Sequence, residues 1–272
     1  MVLLTTGEPR LSVEAVQRRL SRWTGRHFLR AREARPSFAV GAAEVYKISP
    51  SPRFPMSVTV LPGRYWACED IEPYARYIRR RGSEAEVARM AATRGALIVV
   101  SHATAESGRA AMYLAKLTAA LMEPDTPFLL VPPAGKARRV SKTLRSRLGR
   151  ARGADAVVTD LIAVRTVAGP VSGHVVCISR GLETFGLPEI ALPARPEEAK
   201  AAGSAIKWAA AAQVQAGRRL RHGQAFLHPV FGTLRVVPTL FHRHIRLSNA
   251  VCLAPIDAER DTPEARVNRR AS

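Results

Sequence analysis

The segment between Glu84 and Val131 constrains this chain more than any other. Ala96-Leu97-Ile98-Val99-Val100 is a continuous apolar run of strand length, and such runs fit a strand buried on both faces. Ala110, Leu114, Leu117 and Leu121 then recur at three- and four-residue intervals across Ser107–Met122, so an amphipathic helix is predicted there. Phe128-Leu129-Leu130-Val131 is a second apolar strand. Strand, helix, strand over this distance predicts a β-α-β crossover that joins two neighbouring parallel strands.

The flanking sequence extends this unit. Val13, Val16, Leu20 and Trp23 lie at helical spacing with Ser12 as the cap, which predicts a helix over 11–23. A strand over Phe38–Ile48 and another over Met56–Leu61 are separated by the proline-broken turn Ser49–Pro55, since proline cannot donate to a ladder. A helix over Glu84–Ala92 leads into the crossover. Further on, Leu161–Val167 and His174–Ile178 read as strands joined through Gly169-Pro170. An alanine-rich helix follows over Pro196–Gly217, with Ile206, Trp208 and Val214 as its larger apolar members. Short strands broken by Pro229, Gly232 and Pro238 fill Phe226–Leu253, and 255–272 reads as a disordered tail. The expected class is α+β, with mixed sheets and helices packed on one side. Residues 1–254 form the domain, and one arrangement of it is two ferredoxin-like subdomains, 1–133 and 154–254, sharing a core and joined by a basic segment at 134–153.

Charge is the other constraint. The 272 residues carry a formal net charge of +20, and a field of that sign attracts nucleic acid, acidic proteins and anionic surfaces. Lysine occurs only at 47, 116, 136, 142, 200 and 207, so arginine supplies most of the charge. It is spread along the whole chain, which points less to one binding face than a cluster does. No apolar run approaches the roughly 20 residues that span a bilayer, so no membrane insertion is expected. Met1–Thr6 lacks the features of a signal peptide, and Cys68, Cys177 and Cys252 show no metal-ligand spacing. Those features together predict a cytoplasmic protein with reduced thiols.

Two stretches carry a family resemblance. Ala96–His102 with the helix Ala110–Leu121 is one; Arg180-Gly181-Leu182-Glu183-Thr184-Phe185-Gly186-Leu187-Pro188-Glu189-Ile190 is the other. Over about residues 36–220 the chain resembles a bacterial family catalogued as domain of unknown function 4261. The resemblance implies an α+β fold and brings no activity, cofactor or catalytic residue with it. The strong basicity of this chain departs from that family's acidic-to-neutral character.

Several small constellations are candidates for chemistry. His102 follows the strand Ala96–Val100, with Glu106 four residues on; sites in open α/β sheets gather at strand carboxyl ends, so a pocket using His102 and Glu106 for acid/base work is one reading. The other is a helix start capped by Thr104 or Ser107, with Glu106 favouring its dipole. Glu183 and Glu189 either share acid/base work or belong to a two-glycine turn, with Glu189 on a strand edge. His242-Arg243-His244 puts two imidazoles on one strand face, but no third ligand is evident, so no metal is expected. Phosphate-loop, nucleophile-elbow and Cys-x-x-Cys motifs are absent, and no cofactor is expected.

The basic segment remains. Lys136, Arg138, Arg139, Lys142 and Arg145 lead a run with no acid before Asp155, and Val140, Leu144 and Leu148 recur every four residues. That pattern predicts an amphipathic helix presenting an anion-binding face; a solvated helix in an arginine-rich chain gives the same letters, and aromatics for base stacking are missing. Three functions follow: a non-enzymatic binding protein that meets a partner, such as an acidic protein, through a basic surface; nucleic-acid binding through 136–152; or a hydrolase or transferase with a pocket near His102.

Overall fold

The computed structural model describes residues 1–24, 38–40, 43–48, 54–63, 65, 70–80, 82–102, 108–169, 172–237 and 250–256. Among them are seven α-helices and two sheets, an α+β fold. The first sheet holds β1 (Val2–Thr5), β2 (Phe38–Val40), β3 (Ala43–Lys47), β4 (Met56–Pro62), β5 (Gly95–Ser101), β6 (Phe128–Val131) and β7 (Lys136–Arg139). Their order is β2-β3-β4-β5-β1-β6-β7, with every neighbouring pair antiparallel.

Here the predicted crossover needs a correction. β5 and β6 both run antiparallel to β1, and so parallel to each other, but β1 lies between them. They are not neighbours. Val2-Leu3-Leu4-Thr5 is buried at all four positions, and pairing on both edges satisfies its backbone groups in the middle of the sheet. Helix α1 (Val13–Thr24) and helix α4 (Gly108–Leu121) pack on one face. The path β1-α1-β4-β5-α4-β6 in the order β4-β5-β1-β6 is the split β-α-β arrangement of a ferredoxin-like fold. Ser12 caps α1 as expected, its Oγ accepting the Ala15 N–H at 3.3 Å, and Val16 and Leu20 are buried.

Helices cover the other face of this sheet too, where the sequence reading expected them on one side. α2 (Glu72–Arg79) and α3 (Glu84–Ala91) press Tyr74, Ala75, Ile78, Val87 and Met90 onto Val2, Leu4, Ala96 and Leu130. The basic segment is not a single helix. Gly135, at φ +54°, reverses the chain, and Lys136–Arg139 then pairs with β6 as an edge strand. Only after Ser141, whose Oγ accepts the Leu144 N–H at 3.0 Å, does helix α5 (Lys142–Gly149) begin. Leu144 and Leu148 are its buried anchors.

Helix α6 (Ala154–Leu161) leads to the second sheet: β8 (Ala163–Ala168), β9 (Val175–Arg180), β10 (Glu189–Ala194), β11 (Ala225–His228), β12 (Gly232–Val237) and β13 (Ala250–Pro255). The order is β11-β12-β13-β10-β9-β8. β10 and β13 are parallel and the remaining pairs antiparallel, so this sheet is mixed and lacks the ferredoxin-like pattern. Helix α7 (Ala199–Ala216) lies against β8, β9 and β10. Its inner face is mostly alanine, with Ala202, Ala205, Ala209 and Ala210 buried beside Ile206 and Val214, and small side chains let helix and sheet approach closely. A single apolar cluster runs from Leu3, Leu97 and Leu129 through Leu114, Val157 and Ile206 to Ile190, Leu192 and Leu253. Both sheets and the helices between them thus share one core. His242-Arg243-His244 and 257–272 lie outside the described residues.

Candidate anion-binding cleft

Where the second sheet ends, its edge strand β8 faces helix α2 of the first unit across a cleft. Leu161, the last residue of α6, and Ile162 are buried, whereas Arg165 to Ala168 are exposed. The strand therefore leaves the core and lines open space. Pro73, Arg76, Tyr77 and Arg80 form one wall of a cavity of about 480 Å³, the turn at Ala134-Gly135 its end and Ala163–Val167 the other wall. A second cavity, of about 460 Å³, shares Tyr77, Ala163, Val164 and Thr166 with the first. It continues past β8 to Lys200, Gly203, Ser204 and Lys207 on α7. Through the four shared residues the two are adjoining lobes of a groove along β8, with Tyr77 at the border between them, and volumes of this size are those of ligand sites.

The groove is strongly one-signed. Its first lobe is lined by Arg76, Arg80 and Arg165 and, among the described residues, by no acidic one. Arg76 and Arg80 lie four residues apart at the end of α2, on one side of the helix, and the helix dipole favours cations at that end. Arg165 donates through Nη2 to the Ala134 carbonyl at 3.4 Å. Its pKa lies below the usual arginine value, first because of desolvation and then because of the charges of Arg180, Arg76 and Arg80. Three guanidinium groups thus repel that of Arg165, two of them from the opposite wall of the same cavity. Arg76 has Glu72 at 3.6 Å, an exposed pair worth little in water. Among the described residues no carboxylate pairs with Arg80, Arg165 or Arg180. The second lobe adds Lys200 and Lys207, both exposed on α7.

Glycine is required at the end wall. Gly135 holds φ +54°, and a Cβ there would stand 2.4 Å from Arg165 Nη2. Any side chain would strain the turn and displace the guanidinium.

The residues singled out in the basic segment do not gather into one face. Lys136 is buried, and its Nζ donates to the Thr159 and Ile162 carbonyls at 3.1 Å each, at the carboxyl end of α6. Arg138 pairs with Asp160 at 3.2 Å. Both border the second lobe of the groove, Lys136 with its ammonium held by backbone carbonyls and Arg138 with Nη1 turned to Asp160 and its side chain partly exposed. Arg139 points to the opposite face of the sheet, 3.8 Å from Glu86. Lys142 is exposed in the first turn of α5. On the same helix Arg145 is partly buried near Arg19 and Glu123, its pKa lowered by desolvation and then by Arg19.

The other candidates divide. His102 is exposed, and its Nε2 shares a 2.7 Å hydrogen bond with the Ser57 hydroxyl on β4; Glu106 lies outside the described residues. Glu183 is exposed, whereas Glu189 is buried in the interior strand β10, not on an edge. Its Oε1 accepts the Gly181 and Leu182 N–H groups at 2.7 and 2.9 Å, and Oε2 accepts the Ser179 hydroxyl. That carboxylate holds a turn together. Cys177 and Cys252 are buried free thiols, and burial pushes the Cys252 thiol up to about 12. Cys68 lies outside the described residues. Among the described residues no group of three or more His, Cys, Asp or Glu is placed to hold a metal ion, and no helix is long and apolar enough to cross a membrane.

The sequence reading missed Arg76, Arg80 and Arg165 because they come from separate elements, and α2 was not foreseen. The i, i+4 spacing of Arg76 and Arg80 after Glu72-Pro73, a common helix start, was the signal available. No family model matches the chain, and no curated protein or solved structure matches it.

Proposed function

We propose that this is a non-enzymatic binding protein that takes a phosphate-bearing or similarly multivalent anion in the cleft between α2 and β8. The observation that carries the reading is the cluster of Arg76, Arg80 and Arg165 around one concave space, with the charge of Arg180 also bearing on Arg165 and no acidic residue among the described residues of the lining. Self-repulsion of this kind costs folding energy, and a bound polyanion relieves it. Arginine also presents a planar fork suited to bidentate contact with phosphate or carboxylate. Buried free thiols at Cys177 and Cys252 fit a reducing compartment, and the cytoplasm is the location we assign.

Inorganic tripolyphosphate titrated calorimetrically at low salt tests the reading. Binding should weaken at least ten-fold, roughly the effect of 1.4 kcal/mol, in Arg76→Ala/Arg80→Ala. The charge-matched change Arg139→Ala/Lys142→Ala, in the basic segment, should leave it unaltered. The opposite ranking would move the site to residues 136–152, and equal loss in both would leave only a diffuse field.

A second reading, a hydrolase, is favoured by the 2.7 Å contact between Ser57 and His102, the separation of a nucleophile and its base. A serine-directed fluorophosphonate labels the protein at Ser57 if this pair is reactive. No labelling, or labelling that persists in Ser57→Ala, removes the enzyme.

A further inference from the structure

We infer that the occupant of the groove is a single-stranded nucleic acid, with phosphates in both lobes and a base on the ring of Tyr77. This rests on the anion reading above and goes further by naming the ligand. The argument starts from the shape of the charge. Positive side chains stand at the two ends, Arg76, Arg80 and Arg165 in one lobe and Lys200 and Lys207 in the other. Between them the shared border is Tyr77, Ala163, Val164 and Thr166, which carries no charge. A compact anion satisfies one lobe only. A ligand that satisfies both has negative groups on either side of a less polar unit that carries a flat ring, as successive phosphates flank each sugar and its base in a nucleotide chain.

The border and the second lobe fit that unit. Tyr77 is half-buried and, among the described residues, the only aromatic one lining either lobe, and aromatic side chains are the usual stacking platforms for unpaired bases. Thr159, Thr166 and Ser204 supply neutral donors and acceptors in the second lobe, suited to base edges and sugar hydroxyls. At Gly203 an added Cβ would meet nothing closer than Val164 Cγ1 at 3.8 Å, so the α7 wall of that lobe is open. An acidic peptide could match the charges but offers no flat ring at each repeat. A duplex would meet only the rim of cavities of this size.

The test is fluorescence anisotropy with a labelled deoxythymidine decamer and, beside it, a glutamate decamer and tripolyphosphate. Log affinity for the oligonucleotide should fall with log salt at a slope of about −3, as expected for four or five phosphate contacts on a single strand. Arg76→Ala/Arg80→Ala and Lys200→Ala/Lys207→Ala should each flatten that slope by about one to two. Tyr77→Leu should weaken binding about ten-fold with the slope unchanged, the effect of one lost stack. Gly203→Met keeps every charge, improves helix propensity and fills the second lobe; it should weaken the decamer about ten-fold or more and leave tripolyphosphate binding intact. Equal affinity for the glutamate decamer, or no effect of Tyr77→Leu and Gly203→Met in proteins with wild-type circular dichroism, overturns the inference. Tripolyphosphate binding without decamer binding sinks the nucleic acid and leaves the anion site standing. Binding of neither sinks both.

Discussion

At the scale of single residues, the buried ionic groups are where the chain is most sensitive. Asp160 has no exposed side-chain surface and receives Arg147 through Nε and Nη2, at 2.5 and 2.6 Å, together with Arg138. Removing one partner of such a cluster strands the others, although both arginines here keep some contact with water. Asp160→Asn should therefore cost about 2–3 kcal/mol, below the upper end for a fully buried pair. Urea denaturation measures this, and a loss under about 0.5 kcal/mol, the range of ordinary surface changes, would show the cluster to be decorative. The Met1 amino group gives a pH signature. It is buried, donates to the Val99 carbonyl at 2.7 Å, and desolvation lowers its pKa from 8.0 to about 5. Between those values the unfolded chain binds the proton and the folded one does not, so stability rises with pH across that window. The contribution is whole above pH 8 and is lost progressively down to pH 5, a change on the order of 4 kcal/mol for this group. Equal urea midpoints at pH 5 and pH 8 would rule it out.

At the scale of elements, the contact between α1 and α5 makes a sharper prediction than any helix alone. Gly149 closes α5 against the indole of Trp23, and a Cβ there would stand 2.5 Å from Trp23 Cε2. Gly149→Ala raises helix propensity yet should destabilise the protein by about 1–3 kcal/mol through overpacking; a gain in melting temperature would show that the indole moves aside freely. The elements also divide by how legible they were. α1, α3, α4 and α7 and strands β4, β5 and β6 carry a period or an apolar run long enough to read directly, and each was found close to its predicted place. β1 was missed because four residues give too short a pattern, and its central position depends on partners 90 or more residues away. α2 and α6 are eight-residue helices, no shorter than α3, but neither leads into an apolar strand run as α3 does into β5, and two turns alone carry little period. The alternation of Val140, Leu144 and Leu148 suggested one helix, but the first of these follows a strand fixed by pairing with β6, which no local pattern reports. The cleft inherits the same blindness: Arg76 and Arg80 belong to a missed helix, and Arg165 meets them only through tertiary packing.

At the scale of the whole molecule, the question is whether the two sheets unfold together. The ferredoxin-like path closes with β6, and its sheet draws on residues before 140, while the second sheet begins at Ala163. On connectivity alone the halves look separable. The core argues otherwise. α4 touches α6 and α7 as well as β5, and the largest apolar cluster contains side chains from both sheets. Lys136 of β7 caps carbonyls at the end of α6, and Asp160 of α6 binds Arg138 of β7, so polar contacts cross the same boundary. Cutting the chain between them would expose Leu114, Leu117, Val157 and Ile206, all buried in the intact protein, and each such side chain exposed costs about 1.5–3 kcal/mol. Four of them amount to much of the 5–15 kcal/mol that holds a typical domain folded. The expected outcome is one cooperative transition, with far-ultraviolet circular dichroism and the fluorescence of Trp23 and Trp208, which sit on opposite units, changing at the same urea concentration. A fragment ending at Gly153 should then be molten or aggregated in isolation, with no cooperative melt. Two separated transitions, or a fragment 1–153 that unfolds sharply, would mean that the helical layer joins two independent domains and does not form one.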